Sequence, residues 1–278
     1  MPTASIQAGD IEIIHPNHQR GGFRFALFDF DGTISLIRQG WQGVMIPMMV
    51  EILLELNTGE SEKEIEACVR EYVERLTGQQ TIFQMIRFKE EVEKRGGEAL
   101  DPLEYKRIYL DRLWERIKHR VGGLKDGSIN PVDMMVPGSE ELLKALKERG
   151  LTMFLASGTD TQYVQDEAAA LGVPRYFAGG IYGAVDEYRK FSKKILIQRI
   201  YEEHNLHGGE LLGFGDGYVE IENTKEVNGV AVGVASDEVG RVAVDAWKRN
   251  RLIQAGADLI IPHYRSHEAL VAYLFAED

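Results

Sequence analysis

The chain has 278 residues, 44% of them hydrophobic and 27% charged, which suits a globular protein with a substantial core. A formal charge of −12 argues against nucleic acid or an anionic membrane surface as a partner. No apolar run reaches the roughly 18 residues a membrane helix needs, and the lone Cys68 and the lack of a signal-peptide pattern lead us to expect a soluble, cytoplasmic protein.

Residues 1–22 form an N-terminal arm in which "IEIIHP" (11–16) reads as an added edge strand or as a remnant of attachment to another module. A buried strand follows at "FRFALFDF" (23–30) and ends on Asp29 and Asp31. Residues two apart in an extended chain point the same way, so both carboxylates address one pocket. Asp-Gly is also a common turn dipeptide, so this triplet alone admits a plain turn. Residues 36–135 read as a helical cap, with helices expected at 42–56, 61–78, 81–96 and 102–121. Ile65, Val69, Tyr72, Val73 and Leu76 recur at helical spacing. The glycine-rich "GGLKDGSINP" (122–131) is expected to return the chain to the core.

From residue 138 onward helices and strands alternate. Helices are expected at 138–150, 161–172, 192–206 and 240–256. Strands are expected at 151–158, 176–183, 211–217, 229–236 and 257–263. That alternation predicts an α/β fold, a Rossmann-like parallel sheet with helices on both faces. The catalytic core would comprise residues 23–35 and 136–278. Ligands bind such sheets beyond the carboxyl ends of the strands, where Asp29, Ser157 and Asp216 are expected.

Four segments in order carry a resemblance. "FDFDGT" resembles the first motif of the haloacid dehalogenase superfamily, "MFLASG" the second, "FSKKILIQRI" the third and "LLGFGDGYVEIE" the fourth. With a helical cap inserted after the first motif, the chain looks like the phosphoglycolate phosphatase-like members. The resemblance implies a Mg2+-dependent phosphatase acting on a small phosphorylated metabolite, with a sugar or polyol phosphate as one such substrate. Asp29 would be the nucleophile and Asp31 the general acid and base, with Thr33 supporting the turn. Ser157 and the Gly158 amide would hold the phosphoryl oxygens. Mg2+ would bind the Asp29 carboxylate, the Asp31 carbonyl and Asp216.

The third motif needs one lysine, and Lys193 and Lys194 both qualify. Lys193 is preferred because Leu196, Ile197 and Ile200 follow it at +3, +4 and +7, as in the family. Glu220 would be a supporting acid near the metal or that lysine, and Glu222 reads as a surface acid. Arg38, Trp41, Arg75, Gln79 and Gln80 are the cap residues placed by connectivity to meet substrate, while Phe83, Ile86 and Arg87 read as cap packing. Lys63, Lys89, Lys94, Lys106 and Lys118 sit in charged helical stretches and read as solvated rather than as Schiff-base lysines. "WKRNR" (247–251) likewise reads as a solvated face. A phosphomutase shares all four motifs, and a silent binding module is the non-enzymatic alternative.

Overall fold

The computed structural model describes residues 6–8, 10–185, 187 and 192–277; the arm's residues 1–5 and 9, and Phe191 of the third motif, lie outside them. The segment "FALF" carries no polar side chain, as a strand covered on both faces must. It forms β3 (Phe25–Phe28), all of it buried. Its side chains alternate between two cores. Ala26 and Phe28 enter one, while Phe25 and Leu27 enter the other, which Leu196, Ile197 and Ile200 complete.

Among the described residues the sheet has eight strands. Besides β3 these are β1 (Ile6–Ala8), β2 (Ile11–Ile13), β4 (Thr152–Asp160), β5 (Gly180–Ala184), β6 (Leu211–Gly215), β7 (Val230–Val234) and β8 (Leu259–Ile261). Their order is β1-β2-β8-β7-β6-β3-β4-β5. All pairs from β8 to β5 are parallel. The β1–β2 hairpin adds antiparallel to β8, with Glu12 opposite Ile260. The arm therefore supplies an edge strand.

The chain leaves β3 toward β4 on one side and returns to β6 on the other, so β3 sits at the topological switch point. Phe28 pairs with both Leu155 and Phe214. This common register brings Asp29, Ser157 and Asp216 to one end of three adjacent strands.

The chain after β3 first forms four helices: α1 (Gln42–Leu54), α2 (Glu62–Leu76), α3 (Thr81–Lys94) and α4 (Pro102–Asp126). Ser61 with Glu64, and Asp101 with Glu104, form capping boxes that start α2 and α4. The expected break at Gly122 and Gly123 does not occur. Helix α4 runs through both and stops at the left-handed Gly127. Gly123 serves close packing instead, because a Cβ there would lie 2.6 Å from the Ile129 side chain.

The remaining helices are α5 (Ser139–Glu148), α6 (Thr161–Ala170), α7 (Lys193–His204), α8 (Tyr218–Glu226), α9 (Ala246–Gln254) and α10 (His267–Phe275). Helix α9 starts later than expected because Asp245 caps it, accepting from the Lys248 N–H at 2.9 Å, and Val242 and Val244 before it are exposed. Helices α8 and α10 lie outside the helical segments that the sequence patterning marks. The inward face of α8 carries Glu220, Ile221 and Thr224, a mixed stripe without an apolar period.

Candidate active site

Asp29 follows the last residue of β3 and is 6% exposed. Its backbone N–H donates to the Phe214 carbonyl at 2.9 Å. One oxygen, Oδ1, accepts from the Phe30 N–H at 2.7 Å and lies 2.8 Å from Lys193 Nζ. Burial raises the Asp29 carboxyl well above its ordinary pKa, Glu220 adds to this, and Lys193 opposes it.

Asp31 presents its two oxygens to different partners. Oδ2 accepts from Thr159 Oγ1 at 3.0 Å and from Ser157 Oγ at 3.4 Å. Oδ1 is buried with no hydrogen-bond donor among the described residues, and the Arg38 Nε lies 4.0 Å away. Burial raises the Asp31 carboxyl too, against Arg38 and Thr159.

The turn after Asp31 ties two strand ends together. Gly32 has φ +73°, and a Cβ on it would lie 2.2 Å from Asp216 Oδ2, so only glycine lets that carboxylate come so close. Thr33 is fully buried, and its hydroxyl accepts from the Asp216 N–H at 3.0 Å.

The first residue of α7 is Lys193, 5% exposed, whose Nζ touches both Asp29 and Glu220. Burial disfavours its charge, but Asp29 and Glu220 outweigh that and raise its pKa. Lys194 is exposed and pairs with Glu226 at 2.7 Å. The structure therefore brings Lys193, not Lys194, to the carboxylates.

The cap residues divide. Arg38, Trp41 and Gln79 line the cavity above Asp29, and the Gln79 amide donates to the Tyr218 hydroxyl. Arg38 is buried and engaged, with Nη2 2.7 Å from Glu167. Arg75 does not reach this cavity; it sits exposed in the last turn of α2 and pairs with Glu71 at 2.9 Å. Gln80 is buried and faces a neighbouring cleft beside Phe83 and Lys194. Of the cap lysines, Lys106 departs from expectation. It is buried and paired with Asp160, the N-cap of α6, because α4 packs against α6.

Several site residues carried no family motif. Thr159 lies two residues beyond Ser157, on the same side of the extended chain, and that spacing was a usable signal. Glu238 lines the cavity from the loop beyond β7, another strand end. Lys248 corrects the solvated reading of "WKRNR". It is buried, 2.8 Å from both Asp216 Oδ2 and Glu238 Oε1. Arg249 pairs with Glu12, and Arg251 reaches the end of α2.

Six carboxylates, on Asp29, Asp31, Glu167, Asp216, Glu220 and Glu238, thus interleave with three cations, on Arg38, Lys193 and Lys248. The excess of negative charge fits a divalent cation, and the carboxylate and carbonyl donors are the hard oxygens Mg2+ takes. Among the described residues no three Asp, Glu, His or Cys side chains are gathered as a ready cage. The set expected from the motifs contains only two carboxylates and a backbone carbonyl, which leaves the other positions to water.

The fold and these strand-end acids define an α/β enzyme. A model of the haloacid dehalogenase-like hydrolases matches residues 23–226, and the chain belongs to that family. No curated protein matches significantly in sequence. Solved structures with the same fold include a predicted phosphoglycolate phosphatase from Haemophilus somnus, 16% identical with a TM-score of 0.58 over 90% of this chain and 98% of that one. A predicted phosphatase from Clostridium acetobutylicum is 18% identical, with a TM-score of 0.55 over 90% and 98%. The β-phosphoglucomutase of Clostridium difficile is 15% identical, with a TM-score of 0.53 over 84% and 98%. Among the described residues no helix is long and apolar enough to cross a membrane.

Proposed function

We propose that the protein is a Mg2+-dependent phosphatase that hydrolyses a small phosphomonoester with a neutral, hydroxylated leaving group, such as a sugar or polyol phosphate. The observation that carries this reading is the pair of unlike carboxylates at the end of β3. Asp29 lies against Lys193, while Asp31 is turned to the Ser157 and Thr159 hydroxyls.

Asp29 attacks phosphorus and forms an aspartyl-phosphate, with Lys193 offsetting charge on the transferred group. The Ser157 hydroxyl and the Gly158 N–H hold the phosphoryl oxygens. Asp31, turned to the Ser157 and Thr159 hydroxyls, gives its proton to the leaving oxygen and then takes one from the attacking water. Mg2+ held by the Asp29 carboxylate, the Asp31 carbonyl and Asp216 would supply further charge neutralisation.

The rest of the cavity supports the leaving-group class. Thr77, Thr81, Gln39, Gln84 and Tyr109 offer neutral hydrogen-bonding groups beside Trp41. Apart from Lys193, the one cation in the lining is Arg38, and Glu167 already engages it. A substrate carboxylate would therefore meet no uncommitted cation among the described lining residues.

Phosphate release from a panel of phosphomonoesters tests the proposal. We expect Mg2+-dependent turnover with kcat/KM about tenfold or more higher for polyol phosphates than for carboxylated ones, and none in Asp29→Asn. A wild type inactive across the panel would sink it. The phosphomutase reading draws support from the α2–α3 loop, which borders the cavity through Thr77, Gly78 and Gln79. Gln79 O would lie 2.7 Å from a Cβ on Gly158, so the loop backbone rests on the phosphate-side strand end. In a single turnover a mutase releases little phosphate without a bisphosphate, whereas the phosphatase releases one per site.

A further inference from the structure

Lys248 sits where a cation is disfavoured. It is in the first turn of α9, at the positive end of the helix, and it is buried. The side chain is held there by acids from elsewhere in the sheet. Its Nζ lies 2.8 Å from Asp216 Oδ2, 2.8 Å from Glu238 Oε1 and 3.2 Å from Ser236 Oγ. The Ser236 hydroxyl in turn donates to the Gly32 carbonyl at 2.7 Å, on the turn that follows Asp31. Lys248 thus touches the one expected metal ligand that comes from outside that turn.

Two consequences follow from charge alone. An ammonium bound to one oxygen of Asp216 withdraws part of that carboxylate's charge from a dication and repels the dication directly. Glu238, on the far side of the same ammonium, offsets that repulsion. Neither residue belongs to the four family segments, and both arise from the region beyond β7.

We propose that the Lys248–Glu238 pair sets the divalent-cation affinity of the site, with the ammonium weakening binding at Asp216 and the carboxylate restoring it. This rests on the metal-dependent reading above. It differs from a purely structural role in one respect: the two members of the same ion pair act with opposite sign. A pair that merely braced Asp216 would lose metal affinity whichever partner was removed.

The test is calorimetric titration of metal-free wild type, Lys248→Met, Glu238→Gln and Asp216→Asn with Mg2+ and with Mn2+, alongside thermal melts of each. We expect Lys248→Met to bind at least about tenfold more tightly than wild type and Glu238→Gln at least about tenfold more weakly. Asp216→Asn is expected to lose most binding. Glu238→Gln is isosteric and lies at the cavity edge, so it decides the matter even if Lys248→Met does not fold. Equal or weaker binding by folded Lys248→Met, or equal or tighter binding by Glu238→Gln, overturns the inference while leaving the metal reading standing. A wild type that binds neither cation overturns both.

Discussion

Lys193 and Lys194 carry the same charge one residue apart, and α7 gives them opposite surroundings. The first is enclosed between Asp29 and Glu220, and the second meets Glu226 in solvent. A charge aimed at a transferring phosphoryl group in a water-poor site is worth far more than one on a wet surface. Lys193→Met should therefore lower kcat/KM by about 10²–10³, and Lys194→Met should leave it within about twofold. Equal losses in the two variants, measured by steady-state kinetics, would remove Lys193 from the reaction. The sequence could state this choice but not settle it. Spacing to Leu196, Ile197 and Ile200 favoured Lys193 because a residue in phase with the buried stripe turns inward, and all three are buried. For Lys248 that phase was thin, a single buried Leu252 at +4, and its partners lie beyond the ends of β6 and β7.

The α2–α3 loop is held to the core mainly by Arg251. Its guanidinium donates to the Glu74 carbonyl, to the Arg75 carbonyl at 2.6 Å and to the Thr77 carbonyl at 3.1 Å, acceptors at the end of α2. It stacks on Tyr218 and Trp247 at 4.6 and 5.1 Å. Arg251→Ala should weaken loop docking by about 1.5–3 kcal/mol, the range for hydrogen bonds to a charged group. We expect faster amide exchange over residues 74–81 and a raised KM at nearly constant kcat; unchanged exchange would show that the loop is held elsewhere. At this scale the sequence was informative where elements have an apolar period. The strands β3 to β8 and the helices α1 to α7 were legible for that reason. Helix α8 was not, since on its inward face only Ile221 joins a core while Glu220 serves Lys193. The turn residues 240–245 were absorbed into a helix because Val242 and Val244 mimic a stripe that the fold leaves in solvent.

Across the whole molecule, three separated parts of the chain converge on one charge cluster. The turn after β3 brings Asp29, Asp31 and Arg38, α6 brings Glu167, and the half from α7 to α9 brings the rest. A ligand that binds only the folded form stabilises it by RT ln(1 + [L]/Kd), about 2.7 kcal/mol at one hundred times Kd. Saturating Mg2+ should therefore raise the melting temperature by roughly 5–10 °C, and a chelator should reverse the gain. Asp216→Asn should show little of either effect, which differential scanning calorimetry would read directly. A wild type whose melt ignores Mg2+ would count against the metal.

The arm's two strands have a further bearing on how such a chain is made. Strand β2 lies near the beginning of the sequence and pairs with β8, near its end, Glu12 facing Ile260. Strand β3 also waits for its neighbours, because Phe25 pairs with Thr152 and Leu211, which follow long after it. Pairings so distant along the chain form late and slowly. On a ribosome, β3 emerges early and has both flanking strands only once β6 is free. Within the charge cluster, Asp216 and Glu238 meet Lys248 only once α9 has formed. Every residue of the charge cluster precedes β8, the strand that joins the parallel sheet to the arm.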